Sequence, residues 1–217
     1  MMELIRKHFN SIAKEYDQRA ARYSYFYDKF KKKIKKTVPN GLLTLEIGCG
    51  TGGMLNMVTN HGVGIDSSDE MIKIAGKKFP NLNFKTMPAE NITLKKKFEV
   101  ILMVGVSEHL SDFDKAIENL NMVCKKGTIA LITTIHPIYR PLMTWGGRLG
   151  LKIDEGDHRW VSVPEIKQAL KNNDFRISSV FNDIVMPIKI PLISNLINNS
   201  ILNRWFGLIQ YVTAVKN

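Results

Sequence analysis

Residues 43–53 read LTLEIGCGTGG, an apolar run that carries a carboxylate, Glu46, straight into Gly48, Gly50 and Gly53. The spacing G-x-G-x-x-G opens a turn that lets backbone approach a ligand closely. An acidic residue, Asp66, ends the next apolar run and is placed to accept hydrogen bonds from both hydroxyls of a ribose. Two ligand classes share these features. A nicotinamide or flavin dinucleotide lays its pyrophosphate over such a turn, and a carboxylate beside it repels that charge. A ligand with a cationic end welcomes the carboxylate, and S-adenosylmethionine carries an ammonium and a sulfonium with no phosphate. Glu46 therefore favours the cationic ligand. Capping of nearby backbone N–H groups is the plainer role for Glu46, and the two roles are compatible. Proton-transfer candidates follow later runs: Glu108 and His109, then His136, then His158. Each is a candidate base for an acceptor that holds its proton at neutral pH.

The elements that must position these groups alternate. Residues 3–36 carry Phe9, Ile12, Ala13 and Tyr16 at helical spacing and predict a helix. Val38-Pro39-Asn40-Gly41 ends it. Strands are predicted at 42–47, 62–66, 81–86, 98–106, 127–134, 175–181 and 208–216. A helix is predicted near 53–59. Capping boxes are read at Ser67/Glu70 for a helix over 68–79 and at Ser162/Glu165 for one running to Asn172, and Ser111/Asp114 is read as a third helix start. The segment FEVILMVGV (98–106) is nearly all apolar, as a strand covered on both faces must be. This order predicts a parallel, doubly wound α/β sheet, whose ligands gather at the strand C-termini. Two stretches break the alternation. Residues 135–160 are rich in Pro, Gly and aromatics. Residues 185–206 are apolar, where a tight hairpin would suffice. There Ile188, Ile190, Leu192, Ile193, Leu196, Ile197, Ile201, Leu202, Trp205 and Phe206 make a lid, a dimer surface or a membrane-resting segment.

Composition narrows the class. The chain has 217 residues, 44% of them hydrophobic, enough for a sizeable core. No uninterrupted apolar run reaches the ~18 residues a spanning helix needs, and the start, MMELIRKHFNS, lacks an apolar leader region. Cys49 and Cys124 lie far apart and match no metal spacing, so no metal is expected and a cytoplasmic location is the default. The formal charge of +11 is compatible with nucleic acid, an anionic membrane surface or acidic substrates. Much of it sits in DKFKKKIKK (28–36) and LKKKF (94–98), which read as a solvated helix face and a basic turn.

In this order and spacing, LEIGCGTGG, GIDSSDEMI, MPAENI and VILMVGVSEHL resemble the successive motifs of class I S-adenosylmethionine-dependent methyltransferases. FNSIAKEYD and HRWVSVPEIKQALKNNDFRI resemble the ubiquinone- and menaquinone-biosynthesis-type branch, and the likeness spans about residues 8–181. It implies a Rossmann-like, doubly wound seven-stranded sheet, mostly parallel with an antiparallel last strand. One domain is implied over 1–217, with a helical cover over about 1–37 and lid inserts at about 135–160 and 185–206. S-adenosylmethionine is the implied cofactor. The resemblance sets Glu46 and Gly48 at its methionine end, with Gly50 passing close to it and Tyr16 closing over that end. Asp66 takes the ribose. Ser67 and Met71 flank the adenine, Ala89 offers its N–H to the ring edge, and Val104 and Gly105 form the floor. Many relatives place Asp just before the Ala-Glu pair, to accept from the adenine amino group. Here that position is Pro88, so Glu90 substitutes or the contact is absent. Cys49 reads as a small loop residue of the same site, with no partner base for a nucleophile.

The implied activity is methyl transfer to a small, hydrophobic acceptor, with His109 the first candidate base and His158 the second. The stretch VGVSEHL lacks the prolines and aromatic usual in enzymes that methylate nucleobase amines. An RNA methyltransferase, which the charge alone supports, and a non-catalytic S-adenosylmethionine-binding module stand as alternatives. A nicotinamide oxidoreductase is more distant.

Overall fold

A computed structural model of the chain describes residues 2–39, 41–139, 141, 159–184, 193–198 and 200–217. The described residues build a seven-stranded sheet in the order β3-β2-β1-β4-β5-β7-β6. Its strands are β1 (Thr44–Ile47), β2 (Gly62–Asp66), β3 (Asn83–Thr86), β4 (Phe98–Met103), β5 (Cys124–Ile135), β6 (Phe175–Asp183) and β7 (Ile209–Lys216). The first five pair in parallel. The last strand, β7, runs antiparallel between β5 and β6, as expected.

Alternation along the central strands divides the core into two layers. Leu45, Ile47, Ile101, Met103, Ala130 and Ile132 pack on one face with Phe113, Ile117 and Leu120 of α5 (Phe113–Val123) and Ile166 of α6 (Val163–Asn172). Val100, Leu102, Leu131 and Tyr211 face the other way. They meet Val58 of α3 (Gly53–Val58) and Phe30 and Ile34 of α2 (Ser24–Thr37). Both faces of β1 and β4 are thus covered, and every residue of β1 is buried, Glu46 included.

The single helix predicted over 3–36 is two helices. α1 (Met2–Ala21) ends in a tight turn closed by Tyr23 N–H to Ala20 O at 2.9 Å, and α2 restarts at Ser24. The two apolar faces have different partners. Ile12 and Ala13 pack on Met71 of α4 (Asp69–Lys78), whereas Phe30 and Ile34 pack on the sheet. A straight helix does not serve both, and no Pro or Gly marks the break.

Two of the three predicted helix starts move by one residue. Ser68, not Ser67, caps α4 by accepting from Met71 N–H at 3.1 Å. Asp112, not Ser111, caps α5 through Lys115 N–H at 2.9 Å. The third stands: Ser162 and Glu165 form a reciprocal capping box on α6. Cys49 and Cys124 are both buried free thiols. Of the predicted inserts, most of 135–160, with His158, and residues 185–192 lie outside the described residues. Two further helices lie within the second insert, α7 (Ile193–Asn198) and α8 (Leu202–Phe206).

α1 is held against α4 and the glycine turn at two points. Asn10 Oδ1 accepts from Ser68 Oγ at 2.6 Å. Asp17 accepts from Thr51 Oγ1 at 2.7 Å and from Lys78 Nζ at 2.6 Å. Asp17 and Lys78 are partly exposed, which keeps such a pair within about 1 kcal/mol of global stability. Asp17→Ala is therefore expected to leave the unfolding midpoint nearly unchanged while amide exchange in α1 speeds up. Unchanged protection of α1 would show that the latch does not hold it.

Candidate active site

β1 connects to β2 on one side and neighbours β4 on the other, so a crevice opens beyond their C-termini, where doubly wound sheets bind ligands. The turn after β1 is tied to β2 by Gly48 and Cys49 N–H groups, which both donate to Ile65 O, at 2.8 and 3.0 Å. Gly48 has φ +71°, and a Cβ there would lie 2.6 Å from Val106 Cβ. Gly52 has φ +80° and no room beside Phe84. Gly53, the third glycine of the fingerprint, has an ordinary φ and open space around a Cβ. The conformational demand falls on Gly52 instead, because that residue supplies the left-handed cap of α3.

Two carboxylates flank this turn. Asp66 Oδ2 accepts from Gly50 N–H at 2.9 Å and Oδ1 from Ser68 N–H at 2.8 Å. Glu46 is buried, the backbone N–H of Leu55 in the first turn of α3 lies near enough to favour its charged form, and its Oε2 has no partner among the described residues. That N–H offsets only part of the burial, and Oε2 is left for something else. Burial, with the Asp66 charge nearby, pushes the Glu46 carboxyl up to about 8. Burial also raises Asp66. Burial and the fields of both carboxylates push the Cys49 thiol well up, which disqualifies it as a thiolate nucleophile.

A cavity of about 660 Å³ lies over the turn. Tyr16, Glu46, Gly48, Cys49, Gly50, Asp66, Ser67, Met71, Ala89, Glu90, Val104, Gly105, Glu108 and His109 all line it. Ser67 is free to do so because Ser68 takes the cap. Glu90 Oε1, however, accepts from Ser111 N–H and Oγ at 2.8 and 2.7 Å, so this acceptor is already engaged in fixing the start of α5. That also explains why Ser111 does not cap the helix.

The candidate bases separate. His109 closes a short 3₁₀ turn after β4, with its ring edge-on to Phe9 of α1 at 5.1 Å. Glu108 is buried beside it, but Oε1 accepts from Ile135 N–H and Oε2 from Ser107 Oγ, each at 3.0 Å. It ties the ends of β4 and β5 together, and burial raises its pKa. His136 is a correction. Its Nδ1 accepts from Ile138 N–H at 3.2 Å, burial lowers its pKa, and it is absent from the described cavity lining. His158 lies outside the described residues.

Sequence reasoning missed the other half of the cavity. Tyr23, just before α2, and Phe26, Tyr27 and Phe30 of α2 line it, together with Leu208 and Ile209 before and within β7. The aromatic cluster in YSYFYDKF is the signal that pointed there. Asn10, Asp17 and Thr51 left no comparable mark in the sequence.

A doubly wound sheet with a glycine turn and two acidic residues at its switch point defines a nucleoside-cofactor-binding protein. The unpartnered Glu46 Oε2 fits a cofactor with a cationic group and disfavours a pyrophosphate. A methyltransferase domain family model matches residues 17–180. A ubiquinone biosynthesis O-methyltransferase from Pelagibacter ubique is 30% identical over 149 residues, a match covering 63% of this chain and 62% of that protein, short of two thirds of its length. Among solved structures, an S-adenosylmethionine-dependent methyltransferase from Thermotoga maritima, described as a possible histamine N-methyltransferase, superposes with a TM-score of 0.77 at 19% identity, covering 98% of this chain and 100% of that one. A Synechocystis magnesium protoporphyrin IX methyltransferase with bound S-adenosylhomocysteine gives 0.67 at 17% identity, covering 100% and 99%. The chain belongs to the methyltransferase domain family.

Glu46 sets a pH dependence whose sign is fixed. Its folded-state pKa, about 8, lies above the ordinary 4.5, so the folded chain holds a proton that the unfolded chain releases between those values. Without ligand, stability should fall as pH rises through that window, by up to about 1.4 kcal/mol per unit. Glu46→Gln keeps the side chain's size and shape and removes the titration. The wild-type curve is expected to decline relative to this variant between about pH 5 and pH 8; parallel curves would contradict the burial of an unpaired carboxyl.

Proposed function

We propose that the chain transfers the methyl group of S-adenosylmethionine to a small, hydrophobic aromatic acceptor, of the kind implied by the name of its ubiquinone-type relative. The observation that carries this reading is one cavity with two contrasting walls. The unpartnered Glu46 Oε2 lies on the first, and Tyr23, Phe26, Tyr27 and Phe30 form the second. S-adenosylmethionine supplies an electrophilic methyl carbon on a sulfonium, ready for in-line displacement.

The chain's own contribution is placement, exclusion of water and proton management. Glu46 would release its proton to solvent on holding the cofactor's ammonium, and Asp66 would orient the ribose with the lone pairs its backbone bonds leave over. Gly48, Cys49 and Gly50 let backbone come close to the methionine end, and Tyr16 of α1 covers it. Ser67, Met71 and Ala89 bound the adenine, with Glu90 positioning the neighbouring turn rather than reading the ring. Val104 and Gly105 form the floor on which acceptor and cofactor meet. Alignment of this kind supplies much of the rate when the electrophile is already activated. His109, on the cavity wall, takes the proton of a hydroxyl acceptor.

Turnover with labelled S-adenosylmethionine and a panel of apolar phenols and quinols tests the reading. His109→Ala is expected to lower kcat by about 100-fold or more with little change in cofactor affinity. Equal losses in both would make His109 a binding residue. Cofactor binding with no turnover on any acceptor would favour a sensing module.

A further inference from the structure

Beyond the cavity, residues 201–206, ILNRWF, present large apolar side chains to solvent. Ile201 and Trp205 are 73% and 65% exposed, and Leu196 of α7 is 75% exposed. Leu202 and Phe206 are exposed as well. Such a cluster on one short stretch marks an interaction surface rather than the scattered exposure of an ordinary surface.

The ridge is held firmly. Asn182 Nδ2 donates to Arg204 O at 3.0 Å, and Tyr139 OH donates to Phe206 O. Gly207 sits so close to the backbone of Asp183 that a Cβ would collide with it. Asn203 Nδ2 donates to Asp183 Oδ1, while Lys33 Nζ of α2 pairs with Asp183 Oδ2 at 3.2 Å. One carboxylate therefore fastens the apolar ridge beside the lysine-rich helix. Tyr25 of α2 meets Asn198 of α7 at 3.4 Å, a second link between the two.

Charge selects the occupant. From Ile184 to the end of the sequence there is no acidic residue, and α2 carries Lys29, Lys31, Lys32, Lys33, Lys35 and Lys36 against a single acid, Asp28. Asp183 is already paired. A second copy of a chain with net charge +11 brings like charge to this face. We propose that α8, with Leu196 and the lysines of α2 beside it, docks the protein on an anionic lipid surface, with Ile201, Trp205 and Phe206 entering the headgroup boundary. Apolar side chains flanked by lysines are the arrangement such surfaces bind. The ridge runs directly into Leu208 and Ile209, which line the cavity. Resting on the reading of a hydrophobic acceptor, docking here would bring the chain to the leaflet in which such an acceptor dissolves.

The test uses the full chain and vesicles of phosphatidylcholine with or without phosphatidylglycerol, in flotation assays without acceptor. Binding to the anionic vesicles is expected, weakening as salt rises. The double variant Ile201→Asp, Trp205→Asp should lose vesicle affinity by about tenfold or more while binding S-adenosylmethionine as the wild type does. No flotation at low salt, or flotation indifferent to these substitutions, overturns the proposal. So does a concentration-dependent dimer that the double variant dissolves, since the ridge is then a self-contact. Turnover of a water-soluble acceptor separates the surface from the reaction: retained turnover with lost flotation in the double variant supports docking, whereas flotation that only the wild type shows, with turnover by neither protein, faults the methyl-transfer reading alone.

Discussion

A buried carboxylate with one unpartnered oxygen is the constraint around which this protein is arranged. Glu46 lies in β1, an interior strand of the sheet covered on both faces, where a charge is costly unless it is paired. The fold tolerates it by leaving it protonated. Asp66 stands on the other flank of the same turn, and its charge makes a second negative charge harder to sustain. The pair creates a site whose field asks for a cation. That condition separates a sulfonium cofactor from a dinucleotide, although the glycine turn and the ribose-facing aspartate suit both.

The rest of the molecule serves this turn or extends it. The β1–β4 switch opens the crevice, and the left-handed Gly52 sends the chain into α3 so that Leu55 reaches Glu46. α1 covers the turn by latching Asp17 onto Thr51, and α2 continues the cavity with aromatic side chains. Glu108 and Glu90 hold the loops after β4 and before α5 in place. The carboxylates of this region thus divide the work. Two line the cavity beside the glycine turn, and two fix the backbone that surrounds it.

The strands were legible because buried parallel strands read as nearly continuous apolar runs, as in FEVILM. Much of the cavity lining over the glycine turn was legible because its residues follow strand ends in sequence, so position along the chain implies position in space. The break between α1 and α2 was not, since each half is periodic and only the different partners of Ile12 and Ile34 divide them. Ser67 and Ser111 misled because a neighbouring Ser or Asp caps equally well, and the tertiary bonds of Ser68 to Asn10 and of Ser111 to Glu90 decide between them. The aromatic wall joins α2 to β7 across nearly the whole chain, a pairing that no local pattern encodes. His136 follows a strand end as His109 does, yet the turn that begins there binds its Nδ1.

The most direct test of the central claim is proton counting during cofactor binding. Calorimetric titration with S-adenosylmethionine near pH 7, in buffers of different ionisation enthalpy, reports the protons exchanged. If an ammonium meets a carboxyl that is still protonated in the free protein, about one proton is released, and Glu46→Gln abolishes the release. Binding without proton release, or release that survives in Glu46→Gln, would contradict the account.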